Sequence, residues 1–154
     1  NKWVTVKKGR VAGFRTYMTG EFYALLSQHS ILARMLDASA PLDEASFLEG
    51  VTCSENGHGL LHNAFGARTL ALFERMPKQE LSSYLSGLLI GEELRTQSLQ
   101  AAGEVILIGS SALTQRYALA LRATGVATRT LGAEATWAGL HALSGFLDTD
   151  RTST

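Results

Sequence analysis

The chain has 154 residues, 45% of them hydrophobic and 18% charged, enough for one folded domain with a real core and too apolar for a disordered segment. Lys plus Arg equal Asp plus Glu at 14 each, and no basic stripe with interleaved aromatics occurs, which argues against a nucleic-acid partner. No apolar run reaches bilayer length, no charged leader precedes an apolar segment, and the one cysteine, Cys53, excludes an internal disulfide, so no membrane contact and a cytoplasmic home are expected.

Asn1 to Val6 alternates as a strand, Lys7-Lys8-Gly9-Arg10 supplies turn chemistry, and Val11 to Tyr17 resumes extended character. The chain is therefore expected to open on a β-hairpin. It does so without Met and in mid-strand, which reads as a piece of something longer. Thr19-Gly20-Glu21 leads into an amphipathic helix, with Thr19 as N-cap and Phe22, Leu25, Leu26, Leu32, Ala33 and Leu36 along one stripe. His29 falls on that stripe and reads as a packed histidine rather than a catalytic one. After a break at 37–41, Asp43-Glu44 begin a short helix expected to stop at Gly50, and 52–59 reads as a surface loop. His58 and His62 stand four apart, but Gly57 and Gly59 oppose a helix there and no third ligand accompanies them, so no metal site is assigned.

Leu60 to Met76 reads as a helix with Leu61, Phe65, Leu72 and Phe73 inward, ending ahead of Pro77. Lys78 to Leu99 reads as a longer one, striped by Leu81, Tyr84, Leu85, Leu88 and Leu89. It carries Gly87 and Gly91, each costing about 1 kcal/mol against Ala in a helix interior. Their spacing bares one backbone face, either for close helix packing or for the approach of another lobe or a ligand, with Glu92 or Glu93 alongside.

The stretch from Glu104 to Leu121 organises the rest. Val105 to Ile108 reads as a strand buried on both faces, halted at Gly109 before a helical pattern. Gly109 lets backbone come close to a ligand, Ser110 or Ser111 can cap the helix, and a capped helix start offers free N–H groups and partial positive charge. Such a turn suits a nucleotide, although small-residue turns also serve packing alone. Gly125 then ends the helix, Val126 to Leu131 forms a second strand, and Glu134 to Leu147 a final helix carrying Trp137, Leu140, Leu143 and Leu147. Strand, helix, strand in this order implies a right-handed parallel crossover. The expectation is one α/β lobe over 1–147, with 148–154 frayed.

Lys2-Trp3-Val4, Phe14-Arg15-Thr16, Thr19-Gly20-Glu21, Leu85-Ser86-Gly87-Leu88-Leu89-Ile90-Gly91-Glu92-Glu93 and the run from Gly109 to Tyr117 together resemble the C-terminal part of the 2-keto-3-deoxygalactonokinase family. The blocks agree in order and spacing over nearly the whole chain, least so between Asp37 and Gly59. The resemblance implies an actin-like ATPase lobe of the ribonuclease H-like kind, one of two that close on ATP and Mg2+ to phosphorylate the sugar acid 2-keto-3-deoxygalactonate at its 6-hydroxyl. It implies that the N-terminal lobe, with the first phosphate-binding motif and the segment before Asn1, belongs to the missing part. It maps adenosine binding onto Gly109, Ser110 and Ser111, with Thr114 in the same turn, and makes the helix of Gly87, Gly91 and Glu92 a connecting helix near the hinge. Glu21, Glu92 and Glu93 are the carboxylates available as a base, with Glu21 the candidate catalytic residue and a first-turn acid the plainer alternative. Lys2 and Arg15, on adjacent hairpin strands, are candidates to meet phosphate or the substrate carboxylate. Two rivals stand beside this reading: a non-catalytic lobe that self-associates, as a homo-oligomer, through the face its partner should cover, and an actin-like kinase of another sugar.

Overall fold

The computed structural model describes the backbone of residues 1–99, 103–132 and 134–151, and side chains in the last helix up to residue 142. Where one lobe over 1–147 is expected, backbone contacts divide the chain into two units, Asn1–Ser98 and Leu99–Thr154.

Unit 1 begins with the expected hairpin. Strands β1 (Lys2–Lys7) and β2 (Arg10–Thr16) pair antiparallel, with Trp3 opposite Arg15 and Val4 opposite Phe14. Lys8 and Gly9 both take positive φ (50° and 72°), the backbone that lets a two-residue turn follow strand twist. Helices α1 (Thr19–His29), α2 (Glu44–Cys53), α3 (Leu60–Leu72) and α4 (Lys78–Arg95) follow, with a 3-10 turn at Ile31–Arg34. The organising helix of the unit is α4. From Leu81 to Leu94 only Ser86 and Glu92 are even partly exposed, the mark of a helix surrounded by protein. Leu85 and Leu88 pack with Leu32 and Ala64, while Leu81 and Tyr84 pack with Ala67 and Met76. Each fully buried leucine contributes about 2 kcal/mol of apolar burial.

Helix α2 lies closest to α4, and glycine makes that possible. A Cβ on Gly87 would run into the Phe47 carbonyl, one on Gly50 into the Tyr84 carbonyl, and one on Gly91 into Ser54 Oγ and the Val51 backbone. Gly50 thus sits inside α2 rather than ending it, and the helix continues to Cys53 into the stretch read as a loop. Asp43 starts it, its Oδ1 accepting the Ser46 N–H at 2.8 Å.

Two apolar stripes of unit 1 differ from expectation. On α3, Leu61 (84% exposed), Phe65, Leu72 and Phe73 face outward, and the buried face is Asn63, Ala64 and Ala67. Small residues let α3 approach α4, and Asn63 is held inward by bonds to the Cys53 carbonyl and Asn56. On α1, Leu25 and His29 are exposed; the N-cap is Met18, because the Thr19 hydroxyl is committed elsewhere.

In unit 2, β3 (Val105–Ile108) and β4 (Thr128–Leu131) pair in parallel through α5 (Ser111–Ala123), followed by α6 (Glu134–Arg151). Gly125, at φ 77°, closes α5: its N–H bonds the Arg122 carbonyl and the Val126 N–H reaches Leu121. The strand expected to be buried on both faces alternates instead, Val105 and Leu107 inward, Ile106 and Ile108 about half exposed. Trp137 and Leu140 of the final helix are exposed; the side chains of Leu143 and Leu147 lie outside the described residues. α6 takes in Asp148 to Arg151, and 152–154 lie outside the described residues.

Candidate functional site

The turn after β3 is a helix start at exposed positions. Ser110 is the N-cap by backbone geometry, at φ −65° and ψ 149°, and its carbonyl accepts the Leu113 and Thr114 N–H groups. No side chain caps the helix. The N–H groups of Ser111 and Ala112, which no turn of the helix itself can accept, lie at exposed positions. Thr114 is buried and its hydroxyl points back to the carbonyls of Ser110 and Ser111 at 3.1 and 3.2 Å, so it braces the turn from inside. Gly109 is the informative residue. A Cβ there would meet only Thr114 Cγ2, at an ordinary 3.6 Å, and its φ lies outside the left-handed region. The internal packing of unit 2 does not require a glycine at this position.

The second polar cluster lies where the hairpin meets the end of α4. Glu93 is 3% exposed and accepts Asn1 Nδ2 at 3.0 Å, Trp3 Nε1 at 2.6 Å and the Thr19 hydroxyl. A buried carboxylate that accepts three bonds from two segments anchors its surroundings. One turn on, Arg15 Nη1 donates to the Thr96 carbonyl at 3.3 Å, and the Tyr17 hydroxyl lies 2.9 Å from Thr96 Oγ1 and accepts from Gln97 Nε2 at 2.7 Å. The bond with Thr96, with that from Gln97 and the nearby Arg15, brings the Tyr17 phenol below its usual range. Lys2 is exposed between Asn1 and Trp3, and Glu21 is exposed in the first turn of α1.

Glu92 pairs with Arg95 on the outer side of α4, while the faces of Gly87 and Gly91 are filled by α2 of the same unit. Of the two readings of those glycines, close helix packing is what unit 1 displays. The His58 and His62 rings stand 5.1 Å apart, and among the described residues no three His, Cys, Asp or Glu gather to hold a metal. Sequence pattern marks Glu93 only as one of three acids. A carboxylate amid Leu89, Ile90 and Leu94 was the sign that it is buried and bonded.

No helix among the described residues is long and apolar enough to cross a membrane. The family profile described as 2-keto-3-deoxy-galactonokinase matches residues 1–143. The 2-dehydro-3-deoxygalactonokinase of Escherichia coli K12 is 32% identical over 146 residues, covering 93% of this chain and 50% of its own length. A Rhizobium meliloti protein provisionally given the same name is 33% identical over 149 residues, with 92% and 48% coverage. A crystal structure from Sinorhizobium meliloti, of a protein also provisionally so named, superposes with a TM-score of 0.81 at 32% identity, covering 92% of this chain and 49% of that one. The chain thus spans about half the length of the relatives it matches. On the profile match and on both kinds of relative, the chain belongs to the 2-keto-3-deoxy-galactonokinase family.

Proposed function

We propose that this chain is the adenosine-binding, actin-like lobe of an ATP-dependent sugar-acid kinase that phosphorylates 2-dehydro-3-deoxygalactonate at its 6-hydroxyl. Family membership over residues 1–143 supports the chemistry, and the half-length coverage supports a lobe that works with a partner lobe of the same kinase. The observation that carries the nucleotide assignment is Gly109: a glycine that packing does not require, set before an exposed helix start. A nucleotide laid against that turn gains close backbone approach and the N–H groups of Ser111 and Ala112.

Phosphoryl transfer asks the protein mainly to position two substrates and offset charge. In this reading Gly109, Ser110 and Ser111 hold the nucleotide, with Thr114 fixing the shape of their turn. Lys2 or Arg15, which stand on opposite faces of the hairpin, meets phosphate or the substrate carboxylate, and Glu21 takes the acceptor hydroxyl's proton. Mg2+ enters with the nucleotide, held largely by its phosphates.

Thermal unfolding of the chain with and without millimolar Mg-ATP, repeated on Gly109→Val, tests the assignment. Ligand at one hundred times its dissociation constant adds about 2.7 kcal/mol of stability. A shift in the parent chain that Gly109→Val abolishes is the expected result. No shift in either chain would reject nucleotide binding by this lobe alone and favour the self-associating reading, for which the exposed Ile106, Ile108 and Trp137 offer surface.

A further inference from the structure

Neither hairpin strand packs extensively on a helix of unit 1; each has the other as its main partner. Attachment comes instead from polar bonds at the open end of the hairpin, which among the described residues reach the last turn of α4 and the two residues after it, at Glu93, Thr96 and Gln97. Glu93 is the centre of this arrangement. Its Oε2 takes Asn1 and Thr19, and its Oε1 takes Trp3, so one carboxylate binds the residues on either side of Lys2 and the residue two before Glu21.

A buried carboxylate is a poor choice for stability alone, because apolar side chains of similar volume fill such a place at no desolvation cost. What it supplies is geometry: charge-assisted bonds are short and directional, and three of them here tie two separate segments to a rigid helix. Side chains alternate across a strand, so with Asn1 and Trp3 turned to Glu93, Lys2 is turned to the other face. α4 is itself fixed by the backbone contacts of Gly87 and Gly91 with α2, so the anchor stands on a rigid support.

We propose that Glu93 is a positioning residue that sets the placement of Lys2 and of the start of α1 with Glu21. This rests on the kinase reading above for what Lys2 meets. Glu93 holds the two segments in register for a phosphate-bearing ligand without touching it.

The test uses the 154-residue chain and its Glu93→Gln variant, read by amide hydrogen exchange and by pyrophosphate titration of the Lys2 ammonium resonance. In Glu93→Gln, the Tyr17 and Phe22 amides, bonded to Asn1 and Met18, should exchange about tenfold faster while the Leu88 amide in α4 changes less than about twofold. Pyrophosphate should bind the variant about tenfold more weakly, and Lys2→Ala should abolish the pyrophosphate-induced shifts of the neighbouring Asn1–Trp3 and Thr16–Tyr17 amide resonances. Trp3→Phe, which keeps the ring and loses the N–H, should give the same local signature if Glu93→Gln fails to fold. Equal acceleration at Leu88 and Tyr17, no acceleration at Tyr17 and Phe22, or unchanged pyrophosphate affinity in the variant each overturns the proposal. A parent chain that ignores pyrophosphate rejects the phosphate role of Lys2, while exchange still decides whether Glu93 is the anchor.

Discussion

Gly87 and Gly109 look alike in the sequence, each a small residue next to a run of branched apolar ones, yet they answer to different causes. At Gly87 a Cβ would land on the Phe47 carbonyl, a backbone atom that cannot move without shifting α2. At Gly109 a Cβ has room, touching a methyl of Thr114 at van der Waals distance. Glycine inside a fully buried helix is explained by its neighbour helix. Glycine at the exposed turn is left without a packing reason, and this is why it, rather than the α4 glycines, carries the ligand assignment.

The largest effect follows directly. Gly87→Ala should destabilise unit 1 by about 3 kcal/mol, the upper range for overpacking, less what Ala returns in helix propensity. Gly109→Ala should change stability by no more than about 0.5 kcal/mol. Urea unfolding of both variants measures the contrast. Equal losses would mean that the turn is as tightly packed as the helix pair, and the argument from Gly109 would fail.

The same contrast shows what could be read from sequence. The α4 stripe is legible because Leu81, Tyr84, Leu85, Leu88 and Leu89 are both large and buried, so size and periodicity agree. On α3 they disagree: the large residues Leu61, Phe65, Leu72 and Phe73 mark one face, and the fold buries the other, where Ala64 and Ala67 allow close approach. Glycine usually closes helices, so in the sequence Gly50 reads as a helix end, but contact with Tyr84 and Leu88 gives it a place inside one. The hairpin, the strand-turn-helix and the parallel pair were legible from turn residues and short apolar runs. The Glu93 cluster was not, since its partners are 74 to 92 residues away in the chain.

A smaller effect reports on the α2–α4 contact from the other side. Burial pushes the Tyr84 phenol up, helped by the Cys53 thiol and the charge of Glu49, both on α2. A folded pKa above the unfolded one means stability that is complete below pH 10 and is lost as pH rises toward the folded value. Tyr84→Phe should flatten the decline in melting temperature above pH 10. If the decline keeps its slope, the phenol is not held by the close pairing of α2 with α4 that Gly50 and Gly87 permit.

The smallest effect concerns where α2 begins. The Ser46 N–H bonded to Asp43, with further bonds from the Ser46 hydroxyl and the Ala45 N–H, holds the Asp43 carboxyl below the usual 3.8. A depressed folded pKa gives stability that is present above pH 3.8 and fades as pH falls through the folded value. Asp43→Ala should therefore lower the melting temperature at pH 7, with the gap to the parent chain narrowing as pH falls below 3.8. Phe47 and Gly50 stand one and two turns into α2, so fraying at the cap reaches first the Phe47 carbonyl that faces Gly87. Combined with Gly87→Ala, the loss of the cap should cost less than in the parent chain, because a fraying α2 relieves the clash that the new methyl creates. Strict additivity of the two variants would separate the start of α2 from its contact with α4, and would leave the glycine pairing to be set by the middle of the helix alone.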